Sequence, residues 1–181
     1  MTGWLRIALA AQLLFFAGWG ALLLASHRDA TLVWLGTEPV DPRDLLSGHY
    51  VALRYAIADA AKGDACSVPV EERGRTPVWV RLAPSGESIE TVAGFVSPSA
   101  AVACRLDFPG RGEGGPWITG RLDADGRVIY GIERMYVAED DPRREARSGS
   151  VVAQVALNER FEPRLVDLVP RAPVPTATEA P

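Results

Sequence analysis

Residues 7–25 read IALAAQLLFFAGWGALLLA, nineteen residues with no charge among them. As an α-helix at 1.5 Å per residue the stretch rises roughly 29 Å, close to the ~30 Å hydrocarbon thickness of a bilayer. No polar stripe interrupts it, so it does not read as the amphipathic helix of a soluble core. The chain therefore divides into a leading transmembrane helix, assigned to residues 1–30, and a body that works at a membrane surface.

Flanking charge sets orientation, because Lys and Arg resist translocation. Arg6 and the amino terminus precede the apolar run; His27 follows it, then Arg28 offset by Asp29, with no further basic residue until Arg43. This bias predicts a cytoplasmic N-terminus, insertion in the inner membrane and a body on the extracytoplasmic side. Trp4 and Trp34 flank the run, and Trp favours both interfaces. A cleavable signal peptide has an apolar region of about 7–15 residues and ends in a small-x-small site. Here a cut after Ala25 would put Leu23 where a small side chain is required, so a retained signal anchor is the expectation. Ala17, Gly18 and Ala21 form a small-residue patch of the kind that lets helices approach in lipid.

Beyond the apolar run about 155 residues remain, enough for one domain with its own core. The net charge of −4 argues against a nucleic-acid partner, which would call for a basic face. The two cysteines, Cys66 and Cys104, would find disulfide-permissive conditions in an exported body, but they also suit two separate buried thiols. Without His or carboxylate at ligand spacing they make no zinc site.

After the run the sequence turns to short segments of alternating polarity separated by Gly, Pro and Asp. Strands are expected at 31–35, 49–58, 77–82, 88–96, 101–108, 117–122, 128–137, 150–157 and 164–169. Val78, Val80 and Leu82 share one face of their strand, Trp79 and Arg81 the other. Asp123-Ala124-Asp125-Gly126 marks a hairpin, Gly126 being free to take positive φ. The pattern predicts an all-β body, a small barrel or sandwich of about eight short strands with minor helices, over residues 31–170. Asp41-Pro42 and Asp141-Pro142 each place a capping residue before a proline and predict one helical turn and a short exposed helix. Residues 171–181, rich in Pro, Ala and Thr, read as a disordered tail.

One stretch carries a resemblance. Pro39-Val40-Asp41-Pro42-Arg43-Asp44-Leu45-Leu46-Ser47-Gly48-His49-Tyr50-Val51-Ala52-Leu53-Arg54-Tyr55 is similar to the signature of the GDYXXLXY family of membrane-anchored bacterial proteins, named for Gly-Asp-Tyr-x-x-Leu-x-Tyr. Gly48, Tyr50, Leu53 and Tyr55 match, and His49 stands where the name has Asp. Downstream, Tyr130-Gly131-Ile132-Glu133-Arg134-Met135-Tyr136-Val137-Ala138-Glu139 looks like the family's Gly-x-Glu-x-aromatic strand. The family has no established biochemical activity. The resemblance implies a single-span protein of a kind often encoded beside multi-span membrane proteins.

In physical terms the motif is a turn followed by a strand, with Val51, Leu53, Tyr55 and Ile57 on the face shared with His49. Tyr50, Ala52, Arg54 and Ala56 take the other face, so Tyr50 and Tyr55 cannot stack. Arg54 is expected to pair with a carboxylate such as Asp41 or Glu133. A sharper reading gathers Asp41, Arg43, Asp44, His49, Arg54 and Glu133 into a polar cluster that grips a ligand or partner, with Tyr136 nearby on the second motif.

Signs of catalysis are thin. Lys62, the only lysine, lies in a polar stretch unsuited to a desolvated general base, and His27 and His49 are the only histidines. Gly110-Arg111-Gly112-Glu113-Gly114-Gly115-Pro116 lacks the Lys-Ser/Thr of a phosphate loop and precedes a strand. The residues Asp140 to Arg147 read as a solvated charged helix face. No cofactor and no enzymatic activity are expected. The sequence predicts an accessory subunit that binds an integral membrane protein at the lipid bilayer; the alternatives are a hydrolase using His49 and a small-ligand sensor.

Overall fold

A computed structural model describes residues 2–26, 30–39, 50–62, 76–110, 113–138, 140–141, 143 and 146–172. The turn expected at Asp41-Pro42 lies outside them, as does most of the short helix expected at Asp141-Pro142.

The apolar run forms one helix, α1 (Thr2–Ser26). Its segment Gly3–Leu23 is long and apolar enough to cross a membrane, and none of it is buried against the rest of the chain. Ile7, Leu9, Leu13, Phe15 and Trp19 all stand exposed around its circumference. A helix apolar on every side and uncovered by protein suits lipid, not water.

Among the described residues twelve strands follow: β1 (Thr31–Glu38), β2 (Tyr50–Ala52), β3 (Arg54–Tyr55), β4 (Pro77–Pro84), β5 (Ile89–Thr91), β6 (Gly94–Val96), β7 (Ser99–Arg105), β8 (Trp117–Leu122), β9 (Val128–Ile129), β10 (Arg134–Tyr136), β11 (Val151–Leu157) and β12 (Pro163–Pro170). The body is all-β, as the alternation predicts. Its main sheet has eight strands in the order β12-β11-β1-β7-β4-β8-β9, with β3 paired to β1. Two antiparallel blocks meet at a parallel contact between β1 and β7, limited to Leu35 and Ser99. At the other side the Phe161 carbonyl, in the β11–β12 turn, accepts the Thr119 N–H of β8 at 2.9 Å. The sheet thus curls until the β11–β12 turn reaches β8.

Curling gathers one core. Leu35 of β1, Val78, Val80 and Leu82 of β4, Ile118 of β8, Val128 of β9 and Val155 of β11 are all buried in it. Each such side chain contributes roughly 1.5–3 kcal/mol by leaving water. The alternation is visible on β4, where the intervening Trp79 and Arg81 face outward, half-buried.

Three expected strands are broken. Of the strand expected at 49–58, the described residues become β2, β3 and the start of a 3-10 helix (Ala56–Lys62). Residues 88–96 fold back as the β5–β6 hairpin, in which Thr91 faces Gly94 at φ 115°. Residues 128–137 separate into β9 and β10 around Gly131, whose φ is 80°. The hairpin at Asp123 forms as expected: Asp123 Oδ1 accepts the Arg127 N–H at 2.8 Å, and Gly126 has φ 77°. Arg171 and Ala172, grouped with the tail on composition, are tied down: their N–H groups donate to the Ser150 and Glu90 carbonyls, each at 2.9 Å. Cys104, on β7, is disulfide-bonded; Cys66, the other cysteine of the chain, lies outside the described residues.

Candidate functional site

The two motifs meet in space. β2 and β10 form an antiparallel ribbon with Tyr50 opposite Tyr136, Val51 opposite Met135 and Ala52 opposite Arg134. Just beyond it the Leu53 N–H donates to the Glu133 carbonyl at 2.8 Å. The Glu133 carboxylate turns back to accept the Tyr130 N–H. Gly131, in the left-handed region between them, lets the chain reverse so tightly.

Inside the ribbon two tyrosines lock the motifs together. The Tyr55 hydroxyl donates to the Ile132 carbonyl at 2.7 Å, and the Tyr130 hydroxyl donates to the Ile57 carbonyl at 2.9 Å. Their rings meet edge to face, 6.3 Å apart at 81°. Burial, and secondarily the negative charge of Glu133, raises both phenols well above the ordinary tyrosine range. As neutral donors to backbone carbonyls these hydroxyls clamp the two motifs together.

Arg54 faces outward and, among the described residues, takes Glu38 and Asp59 as partners rather than Glu133; Asp41 lies outside them. Its Nη2 lies 2.6 Å from Asp59 Oδ2 and its Nε lies 3.3 Å from Glu38 Oε2. Arg127 adds a looser contact to Asp59, at 3.7 Å. The Arg54 N–H donates to Ser148 Oγ at 2.9 Å, and that hydroxyl donates to the Glu38 carbonyl. Arg54 therefore ties β3 to β1 and to the turn before β11.

The outer face of the ribbon is different. Tyr50 and Tyr136 rings stand 6.0 Å apart, and the Arg134 guanidinium lies 5.1 Å over the Tyr50 ring. Tyr136 is 75% exposed. An arginine held over one aromatic beside a second, exposed aromatic is the composition that anchors protein interfaces.

Of the residues singled out from sequence, Tyr50, Leu53, Arg54, Tyr55, Glu133 and Tyr136 come together here. Asp41, Arg43, Asp44, Gly48 and His49 lie outside the described residues. Sequence reasoning missed Arg134, Tyr130, Asp59 and Ser148. Arg134 was recoverable, since it alternates with Tyr136 on one strand face. Asp59 and Ser148 were not, because only the fold brings them to Arg54.

A second feature is an open cleft of about 930 Å³, lined among others by Asp140, Asp141, Arg143, Asp167 and Arg171. Arg143 bonds Asp141 at 2.7 Å and Asp167 at 3.2 Å. Hydrogen bonds from Arg143 hold the Asp141 carboxyl below the usual carboxylate range. Arg143 thus pairs with two of the cleft's carboxylates, while Arg171 donates to the Thr37 carbonyl at 3.0 Å. Among the described residues no group of three or more His, Cys, Asp or Glu side chains is placed to hold a metal.

A sequence model of the GDYXXLXY protein family matches residues 12–168, from within α1 to within β12. The chain belongs to the GDYXXLXY family. No curated protein and no solved structure matched it. In this GDYXXLXY protein the Leu53 and Tyr55 positions of the name are buried in the core, whereas Tyr50 contributes to the exposed patch.

Proposed function

We propose that this protein is a single-pass subunit of a membrane assembly, held in the inner membrane by α1 with its body on the extracytoplasmic side, and that it acts by binding an integral membrane partner without catalysis. The observation that carries the reading is the division of labour within the motifs. Arg54, Tyr55, Tyr130 and Glu133 have internal partners, while Tyr50, Arg134 and Tyr136 make an outward aromatic and cationic surface. Such a surface suits recognition of a partner.

Three observations support the rest. The family match begins within α1, which supports reading the helix together with the body. The disulfide at Cys104 fits an oxidising compartment. The core is filled by side chains such as Val78, Val80 and Ile118, which favours a surface partner over a ligand held inside.

Crosslinking in native membranes followed by purification in mild detergent tests this. A stoichiometric membrane protein should co-purify with the wild-type chain and with His49→Ala. Tyr136→Ala combined with Arg134→Ala should lose it while the unfolding midpoint stays put. Absence of any membrane partner would overturn the reading. A phenotype abolished by His49→Ala with the complex intact would replace it by the hydrolase.

A further inference from the structure

We propose that the end of the body where β1 begins rests on the lipid surface through an aromatic rim of Trp79, Phe108 and Phe161, with Leu32 exposed at the same end. The proposal rests on α1 being retained as the anchor. The three rings form a row: Trp79 meets Phe108 edge to face at 5.9 Å, and Phe108 lies 5.5 Å from Phe161. Trp79 points away from the core, since its neighbours Val78 and Val80 point into it. Phe108 is 52% exposed and Leu32 57%.

This row is built rather than incidental. Phe161 holds φ at 65°, the left-handed region that a non-glycine residue enters only when its surroundings enforce it. Asn158 does the enforcing: its side-chain oxygen accepts the N–H groups of Arg160 and Glu162, both at 2.9 Å. The Phe161 carbonyl is fixed in turn by Thr119. The result is a rigid turn that presents an aromatic ring at one end of the sheet.

That end is the one tethered to the membrane. Thr31 lines a cleft of about 380 Å³ together with Trp117, Leu157 and Phe161. Four residues separate the last residue of α1, Ser26, from Thr31. Even fully extended, that connection spans no more than ~18 Å. The rim is thereby kept within reach of the headgroup region, where Trp and other amphipathic or aromatic side chains are favoured.

Charge indicates which property of the lipid is recognised. Arg105 is paired with Asp107 and Glu113 beside the rim, and Glu159, Arg160, Glu162 and Arg164 balance one another along the turn. Among the described residues the rim has no basic excess to seek anionic headgroups, so its partner is the uncharged interfacial zone of the bilayer. The Tyr50–Tyr136 patch lies toward the other end of β1, where β3 pairs with Thr37 and Glu38. β1 is about 23 Å long at the usual strand rise, so the patch stands clear of the lipid and open to a protein partner.

The test uses the full-length chain in phosphatidylcholine vesicles carrying nitroxide lipids, with a fluorophore on Phe108→Cys, on Arg160→Cys or on Phe95→Cys. Phe95 is 73% exposed on the hairpin that joins β12 at its far end. Quenching should be several-fold stronger at positions 108 and 160 than at 95, and unchanged by added phosphatidylglycerol or by salt. Equal quenching at all three positions, or none at 108 and 160 in chains that float with the vesicles, overturns the proposal alone. Chains that fail to float overturn the anchor and the rim together. A crosslink between two copies at position 108 without quenching assigns the rim to a second copy and also overturns it.

Discussion

The name of the family points to Tyr50 and Tyr55, and the two tyrosines have opposite duties. Tyr55 and Tyr130 each give a buried hydroxyl to a backbone carbonyl of the other's strand region. Removing either hydroxyl strands a buried carbonyl, so Tyr55→Phe and Tyr130→Phe should each cost about 1–3 kcal/mol in denaturant unfolding. Their titration makes a second prediction. Both phenols hold their protons more tightly folded than unfolded, where tyrosine ionises near pH 10.0. Their contribution is therefore fully present below pH 10 and is lost as pH rises above it, by about 1.4 kcal/mol per pH unit for each tyrosine. Unfolding midpoints measured between neutral and strongly alkaline pH should fall above pH 10, and the double phenylalanine variant should flatten that fall. Arg54 provides the contrast. Its side chain is 32% exposed and its partners Glu38 and Asp59 are 43% and 36% exposed, so water screens the pairs. Arg54→Ala should cost no more than about 1 kcal/mol through those pairs, with a deficit that shrinks as salt is added.

At the scale of elements, the face of each strand was legible and its continuity was not. Val51, Leu53, Tyr55 and Ile57 are buried as their alternation predicts, yet the chain through them breaks twice. Period-two polarity records which side chains seek the core; it does not record where a backbone changes partner. The Leu53 N–H still goes to Glu133, the residue before β10, whereas Arg54 and Tyr55 pair with β1, so the chain changes partner between them. Gly94 and Gly131 were the available signs of the other two breaks, and both sit at positive φ. Gly120 carries a different message. A Cβ there would lie 2.5 Å from Val128 Cγ1 and 2.9 Å from the Ile129 carbonyl oxygen. The glycine allows β9 to fold tightly back over β8, a close approach that strand glycines often mark. Gly120→Ala should lower stability by about 1–3 kcal/mol through overpacking, and backbone exchange protection should weaken first at Arg121 and Leu122, the β8 residues paired with β9.

For the whole molecule, the informative bond is the one that ties β7 outward. Cys104 sits opposite Val80 in the β4–β7 ladder and packs against the core, so whatever it bonds to is fixed to the middle of the sheet. From sequence the cysteines allowed either a bridge or two buried thiols, because spacing along a chain says nothing of the distance across a fold. The disulfide at Cys104 decides that choice, and with it a testable link between compartment and stability. A native bridge in a domain of this size is worth about 2–4 kcal/mol, a sizeable share of the 5–15 kcal/mol that typically separates folded from unfolded. Cys104→Ser should therefore lower the denaturant midpoint of the detergent-solubilised chain, and reductant should lower the wild-type midpoint to the same value while leaving the variant unchanged. The address proposed for the body can be tested on the same bond. In intact cells a membrane-permeant maleimide should leave Cys104 unmodified until a reductant is added, as expected of a body held in an oxidising space. Ready labelling without reductant would place the thiol on the cytosolic side and reverse the orientation inferred from Arg6.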